Sequence, residues 1–264
     1  MTSPPAGSAT HIASRANPFL KTLARLARES TAYRKEGLLW LEGDHLARAA
    51  LARGFKPQTA VFSETFWATA PAPWTSVAER NVVIADALWK EFTGLESPAA
   101  VGFVMALPTP VALSADSSTV VLDRVQDAGN VGSILRSAAA FGFTQVLALK
   151  GTAALWSPKV LRAGMGAHFG LQLIEGLAPD ALAVLRVPLV VTSSHEGPLL
   201  HEQRLPHPCA WVMGHEGQGV SAELAARAQV FVRIAQPGGE ESLNVGAAAA
   251  ICLHASAVAR LAQG

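Results

Sequence analysis

The feature that most constrains this chain is the regular alternation that begins at Thr119. The run "TVVLDRV" is apolar and of strand length, "NVGSILRSAAAFG" has helical spacing, and "QVLALK" is again a strand. "VLRAGMGA" reads as a short helix, "LQLIE" as a strand, "PDALAVLR" as a helix and "PLVVTSS" as a strand. "CAWVM" and "QVFVRI" add two strands, and "NVGAAAAICLHASAVARLA" is a closing helix. Strands that are apolar throughout, rather than alternating with polar residues, must be covered on both faces. Joined by helices, they predict an α/β fold with a mostly parallel sheet. In a chain of 264 residues that is 50% hydrophobic, there is enough apolar material for such a core and for a second, smaller domain.

The preceding half differs. "LKTLARLA" sets Leu20, Leu23 and Leu26 near helical spacing with Lys21, Arg25 and Arg28 between them, an amphipathic helix with a cationic flank. "GLLWLEG" reads as a strand, and "DHLARAALARG" as a helix that Asp44 caps and Gly54 ends. "TAVFSE", "NVVIAD" and "AVGFVMAL" are further strands. These elements predict a small α/β domain over 11–107. The Pro- and Ser-containing stretch over 108–118 reads as a linker, and 119–264 as the second domain. Residues 1–10 are rich in Pro, Ser, Ala and Gly and are expected to be disordered.

Composition removes several classes. Two cysteines, Cys209 and Cys252, make neither a disulfide framework nor a metal-ligand cluster, so no metal is expected. "MTSPPAGSAT" has no apolar core of a secretory signal, and the alanine-rich closing segment carries His254 and Arg260. A cytoplasmic protein without a membrane span is expected. The net charge of +1 hides an asymmetry. Arg15, Lys21, Arg25, Arg28, Arg34, Lys35, Arg48, Arg53 and Lys56 stand in the first domain against Glu29, Glu36, Glu42 and Asp44.

Three polar constellations lie at element ends, where parallel sheets keep their sites. "DAGNVGSILRSAAAFGF" offers Asn130 at the mouth of a helix, where its plain role is an N-cap, and Arg136 six positions on. Six residues is close to two turns, so the two are expected to share a face. Arg136 is surrounded in sequence by Ile134, Leu135 and Ala138 to Ala140, and needs an anionic partner. "WVMGHEGQGVS" spaces its glycines G-x-x-G-x-G, which is neither the P-loop nor the dinucleotide fingerprint. Glu216 inside this loop would repel phosphate, so an adenosine bearing a cation suits it better. The alternative is a tight turn. In "IAQPGGEESLNVGAAAA", Ser242 and Asn244 flank a helix whose first turns are small enough for a ligand to approach, or simply cap it.

Taken together and in this order, "NVGSILRSAAAFGF", "VMGHEGQGVS" and "IAQPGGEESLNVGAAAA" closely resemble the three signature motifs of the SpoU/TrmH family of RNA 2′-O-ribose methyltransferases, within the SPOUT superfamily. "SPKVLRAGMGAHFGL" is similar to another family segment. The stretch from Ser14 to Leu51 looks like the substrate-binding domain, α/β and L30e-like, that precedes the catalytic domain in many members. The resemblance implies a SPOUT domain with a deep trefoil knot, S-adenosyl-L-methionine bound there, and a homodimer. Asn130, Arg136, Glu216, Ser242 and Asn244 match the catalytic positions, and Thr192, Gly214, Ile234 and Leu243 those that line the cofactor pocket. The sequence departs from the family at Ala235 and Gln236, where an Ile-Pro-Met run is usual, and at Gly246, where serine is common.

A ribose 2′-OH is a weak acid, and a site must orient it and stabilise developing alkoxide charge. Because arginine normally stays protonated, Arg136 is expected to hold the target phosphate and stabilise the alkoxide rather than act as a base. Asn130, Glu216, Ser242 and Asn244 would orient it and the ribose. His215 is read as a surface or backbone-bonded histidine. Arg15, Lys21, Arg25, Arg28, Arg34 and Lys35 are the expected RNA contacts. Ribosomal RNA of the 23S type is preferred over tRNA by resemblance alone. The alternatives are a tRNA 2′-O-methyltransferase or a non-catalytic RNA-binding protein on the same scaffold. A small-molecule methyltransferase of open Rossmann type fits poorly, given the basic first half and the missing G-x-G-x-x-G.

Overall fold

A computed structural model describes residues 8–93, 99–109, 111–193, 196–238 and 242–262. The chain forms two compact units, one of residues 1–109 with 156–169, the other of 110–155 with 170–264.

The first unit is a five-stranded mixed sheet with helices. Its strands are β1 (Ala9–Ile12), β2 (Leu38–Glu42), β3 (Thr59–Ser63), β4 (Arg80–Ile84) and β5 (Val101–Ala106), in the order β1-β4-β3-β5-β2. β1, β4 and β3 are parallel, and β5 runs antiparallel to β3 and β2. The expected disorder over 1–10 fails at its end, because Ala9 and Thr10 already pair with Asn81 and Val82. Residues 1–7 lie outside those described.

Helix α1 (Pro18–Arg28) is the expected amphipathic one. Asn17 caps it by accepting from the Phe19 N–H, Pro18 opens it, and Leu20, Leu23, Leu26 and Ala27 are buried. α2 (Ala32–Glu36) follows, then α3 (Asp44–Ala52). Asp44 is not the cap of α3. Gly43 occupies that position, with Asp44 in the first turn, where a carboxylate meets the positive end of the helix. The short α4 (Glu64–Trp67) and α5 (Ala72–Thr75) precede α6 (Asp86–Phe92), whose Leu88, Trp89 and Phe92 are buried. Trp40, Trp89 and Phe92 meet edge to face with ring centroids 5.2–6.3 Å apart.

The second unit holds a six-stranded, wholly parallel sheet. Its elements are β6 (Thr119–Leu122), α7 (Ala128–Ala140), β7 (Gln145–Leu149), then, after α8 (Pro158–Gly164), β8 (Gln172–Leu177), β9 (Leu189–Thr192), β10 (Ala210–Met213), α9 (Ala222–Ala226), β11 (Val230–Val232) and α10 (Val245–Leu261). The strand order is β11-β9-β10-β6-β7-β8. Pro179–Val184, expected as an α-helix, is 3-10. The stretch 156–169 with α8, expected in the second domain, belongs by its contacts to the first unit, where the Phe169 ring lies 5.1 Å from that of Phe55.

The four inner strands, β9, β10, β6 and β7, are buried on both faces almost throughout, as their continuous apolar runs require, and the edge strands β8 and β11 are partly covered. Val121, Leu147, Leu149, Val191 and Val212 form one core with Leu182 and Leu224. Their strand neighbours Val120, Leu122, Val146, Val190 and Trp211 point to the opposite face and are equally buried. α10 packs there, and the Trp211 indole N–H donates to the Ser256 hydroxyl at 2.8 Å. Among the described residues no helix is long and apolar enough to cross a membrane. Ser256→Ala is expected to strand that buried donor and cost about 1–3 kcal/mol. Urea unfolding of variant and wild type measures it, and an unchanged midpoint would show the bond to be idle.

Candidate functional site

β6 and β10 are neighbours at the centre of the sheet, yet the chain leaves them in opposite directions, β6 towards β7 and β10 by way of α9 towards β11. Such a switch point opens a crevice beyond the carboxyl ends of the strands. All three constellations converge there.

The loop after β10 is a narrow hairpin. His215 and Gly219 exchange backbone hydrogen bonds of 3.0 and 2.8 Å, and the His215 Nδ1 accepts from the Gly217 N–H at 3.0 Å. His215 is therefore backbone-bonded, as expected. Gly214 is required for a reason the sequence did not reveal. A Cβ there would lie 2.2 Å from the Gly219 carbonyl carbon and 2.3 Å from the Val220 nitrogen, so a side chain would collide with the loop's own backbone before it met any ligand.

Glu216 faces the loop after β6. Its carboxylate accepts from the Gln126 N–H at 3.1 Å, the Asp127 N–H at 3.0 Å and the Asn130 amide at 3.1 Å. Burial by itself pushes its pKa up, but these donors outweigh it and bring the group down from 4.5 to about 2. Asn130 is not the cap of α7. Asp127 is, accepting from the Asn130 N–H at 2.8 Å, and that frees the Asn130 side chain. Its oxygen accepts from the Asn244 amide at 2.9 Å, while the Asn244 oxygen caps α10 through Gly246 and Ala247 at 2.9 and 3.2 Å. Glu216, Asn130 and Asn244 thus form one continuous relay across the three motifs.

Beside this relay lies a cavity of about 390 Å³. Thr192, Gly214, Ile234 and Leu243 all line it, as do Glu216 and Ser242. Its described lining holds no lysine or arginine, and Val245 and Ala248 extend the apolar wall. Gln236, at the position of the departure from the family pattern, lines it too, and its buried side-chain oxygen has no hydrogen-bond partner among the described residues. Apolar side chains beside an acid, with no lysine or arginine in the described lining, suit an uncharged aromatic heterocycle joined to a positive centre better than a polyphosphate.

Arg136 is the exception. It is exposed on α7, makes no hydrogen bond or ion pair with a described residue, and does not line the cavity. The shared face with Asn130 fails on arithmetic, since six residues at 3.6 per turn leave the two roughly 120° apart. In the first unit, Arg15, Lys21, Arg25, Arg28, Arg34 and Lys35 are all exposed. Several have internal partners: Arg15 with Glu91, Arg25 with Glu36 at 2.8 Å, Arg28 with the Glu91 carbonyl, and Arg34 with the Tyr33 hydroxyl at 3.2 Å.

Residues 117–254 match the SpoU rRNA methylase family. A 23S rRNA (guanosine(2553)-2′-O)-methyltransferase, RlmP of Bacillus subtilis, is 30% identical over 83% of this chain and 88% of its own length. A zebrafish mitochondrial rRNA methyltransferase 3B is 32% identical over 76% of this chain, which spans only 50% of that longer protein. The AdoMet-bound structure of an rRNA methyltransferase from Sinorhizobium meliloti aligns with a TM-score of 0.80 at 26% identity, over 96% of this chain and 98% of that one. The chain belongs to the SpoU rRNA methylase family.

Asn244 has two separable duties. Asn244→Ala is expected to lose the cap and about 1 kcal/mol of stability. Asn244→Asp keeps the cap but has no donor for Asn130, so it should unfold near the wild-type temperature while the relay is broken. Equal losses of stability in both variants would show that the amide bond to Asn130, and not the cap, carries its stabilising role. For Glu216 the sign is that of a depressed carboxylate. Its contribution is complete above pH 4.5 and is lost as pH falls towards about 2. Thermal unfolding across that window should show a shallower pH dependence in Glu216→Gln than in the wild type. Parallel curves would remove the carboxylate from the account.

Proposed function

We propose that this chain is an S-adenosyl-L-methionine-dependent methyltransferase acting on a ribose 2′-OH of RNA, with ribosomal RNA of the 23S type as its substrate. The observation that carries the reading is the cavity lined by Thr192, Gly214, Ile234 and Leu243, with Glu216 in its wall bonded to Asn130 and through it to Asn244. The B. subtilis relative named for 2′-O methylation of 23S rRNA supports the substrate, and the AdoMet-bound S. meliloti structure supports the cofactor.

Bound there, S-adenosylmethionine would supply a methyl group already activated on a sulfonium. The protein's task is to orient and charge-stabilise the hydroxyl. A carboxylate with a pKa of about 2 is a poor base, so Glu216 serves as a fixed acceptor that holds Asn130 and the β6–α7 loop in place. Ser242 stands at the cavity and is free to meet substrate. Arg136 is exposed and outside the lining of its own chain's cavity, so it works as the cation that meets RNA phosphate and the developing alkoxide.

The active form in this reading is a homodimer seated on α10. Ile251, Val258 and Leu261, 41%, 49% and 76% exposed, fall on one stripe of that helix. An apolar groove lined by Phe141, Leu200 and Ile251 lies beside it. The basic residues of the first unit contact RNA. Their two internal ion pairs, Arg15–Glu91 and Arg25–Glu36, have exposed arginines and are weak enough for phosphate to displace.

Three measurements test the reading. Saturating S-adenosylmethionine should raise the melting temperature of the wild type, and no shift would leave the β10 loop a mere turn. Arg136→Ala should lower single-turnover methylation by roughly two to four orders of magnitude, about 3–5 kcal/mol, with little change in cofactor affinity. Arg136→Lys should also be poor, since an ammonium lacks the planar fork. Near-normal turnover in Arg136→Ala would overturn its role. Lys21→Glu with Lys35→Glu should weaken RNA binding and flatten its salt dependence. Charge reversal is the cleaner probe here, because deleting the first 107 residues would strip Phe55 from Phe169. Unchanged affinity in the double variant would move the RNA surface elsewhere.

A further inference from the structure

Arg124 is one of two described non-glycine residues with positive φ, at +61°. Left-handed backbone is costly for a residue with a Cβ and persists only where the surroundings over-determine it. They do so on both sides. The Leu122 carbonyl accepts from the Thr152 hydroxyl at 3.0 Å, and the Val125 carbonyl accepts from the Ala153 N–H at 2.9 Å. The aliphatic stem of Arg124 runs past Gly151, where a Cβ would come within 3.2 Å of its Cγ. This backbone turn aims the guanidinium at the loop after β10.

Its contacts there are specific. The Arg124 Nε donates to Asp123 Oδ1 at 3.0 Å, and Nη1 donates to Gln218 Oε1 at 2.9 Å. Asp123 is 2% exposed, and its other carboxylate oxygen accepts from the Ser221 N–H at 2.6 Å. Gln218 lines the cavity, between Glu216 and Ser221. The end of β6 therefore grips the cavity loop at three successive points: Gln126 and Asp127 hold Glu216, Arg124 holds Gln218, and Asp123 holds Ser221. The hairpin that carries those points has three glycines, Gly214, Gly217 and Gly219, and backbone bonds at only one rung, His215 with Gly219. Glycine-rich backbone pays more conformational entropy to be fixed than any other.

The geometry points to Arg124 as a positioning residue for cofactor binding: with Asp123 behind it, it holds Gln218 and so fixes the cavity loop in its binding-competent shape before the ligand arrives. Pre-ordering the loop removes an ordering cost that binding would otherwise carry. The inference rests on the reading of this cavity as the S-adenosylmethionine site. It adds a residue that the three motifs do not contain among their site positions.

Arg124→Gly suits the test, because glycine accepts the positive φ and removes the side chain without backbone strain. Calorimetric titration with S-adenosylmethionine is run on wild type, Arg124→Gly, Gln218→Ala and the double variant, with melting temperatures of the ligand-free proteins and steady-state kinetics alongside. Arg124→Gly is expected to raise Kd and the KM for the cofactor about three- to tenfold, the size of coupling that hydrogen-bonded neighbours reach. Its kcat should stay near wild type and its ligand-free melting temperature should not fall, a pattern that loss of a merely structural residue does not give. In the Gln218→Ala background the same change should have no further effect. Arg124→Lys, which keeps a donor, should recover part of the affinity. Wild-type affinity in Arg124→Gly, or additive losses in the double variant, would overturn the inference while leaving the cavity assignment intact. Failure of the wild type to bind S-adenosylmethionine would instead bring down the cavity assignment itself, and the inference with it.

Discussion

The Glu216 carboxylate accepts from two consecutive backbone N–H groups, those of Gln126 and Asp127, and from the Asn130 amide. No cation is among these donors. With the Arg124–Gln218 and Asp123–Ser221 bonds, this group ties together the open ends of two parallel strands that the chain leaves in opposite directions. The N–H groups lie at the entrance to α7, where a helix exposes donors without intrahelical partners and the field favours negative charge. That is why an acid in a glycine-rich loop is stabilised in its charged form, with its pKa near 2. The loop is shaped by what the acid reaches for, and the cavity is shaped by the loop.

The relay beyond Glu216 depends on a division of labour among similar side chains. Asp127 takes the capping role at α7 and leaves both ends of the Asn130 amide free, one for Glu216 and one for Asn244. Asn244 does the opposite, using its oxygen to cap α10 and its amide to reach Asn130. An aspartate could perform the first of these roles but not the second, because an ionised carboxylate only accepts. The order acceptor, amide, amide, cap therefore fixes the direction of every hydrogen bond between the loop and α10.

Much of this was legible in the sequence, for reasons that differ by element. The second unit's strands were readable because burial on both faces leaves continuous apolar runs such as "TVVL" and "AWVM". α1 was readable because only one of its faces is buried. α6 was missed, although Asp86 in its first turn and the spacing of Leu88, Trp89 and Phe92 would have revealed it. The four expected cofactor positions gather on one cavity because they follow strands that are neighbours in the sheet. Arg124 left no trace, since a positive φ on a non-glycine residue has no signature in composition. Membership of 156–169 in the first unit was equally silent, because it depends on which surface Phe169 finds and not on any local pattern.

Charge separation is the last consequence. The described cavity lining carries Glu216 and no lysine or arginine, while Arg136 stands exposed on the same helix that receives Glu216. A guanidinium inside the cavity would pair with Glu216, compete with the backbone N–H groups for it, and loosen the loop from β6. It would also repel a positive ligand at close range, where low dielectric makes the penalty large. Keeping the cation outside lets one carboxylate organise the loop while a separate, weakly constrained arginine remains available to an anion arriving from solvent. In solvent-exposed surroundings that arginine attracts phosphate at modest strength and loses little when unoccupied. The cavity loop is therefore organised around an acid, with the Arg136 cation kept outside the cavity lining.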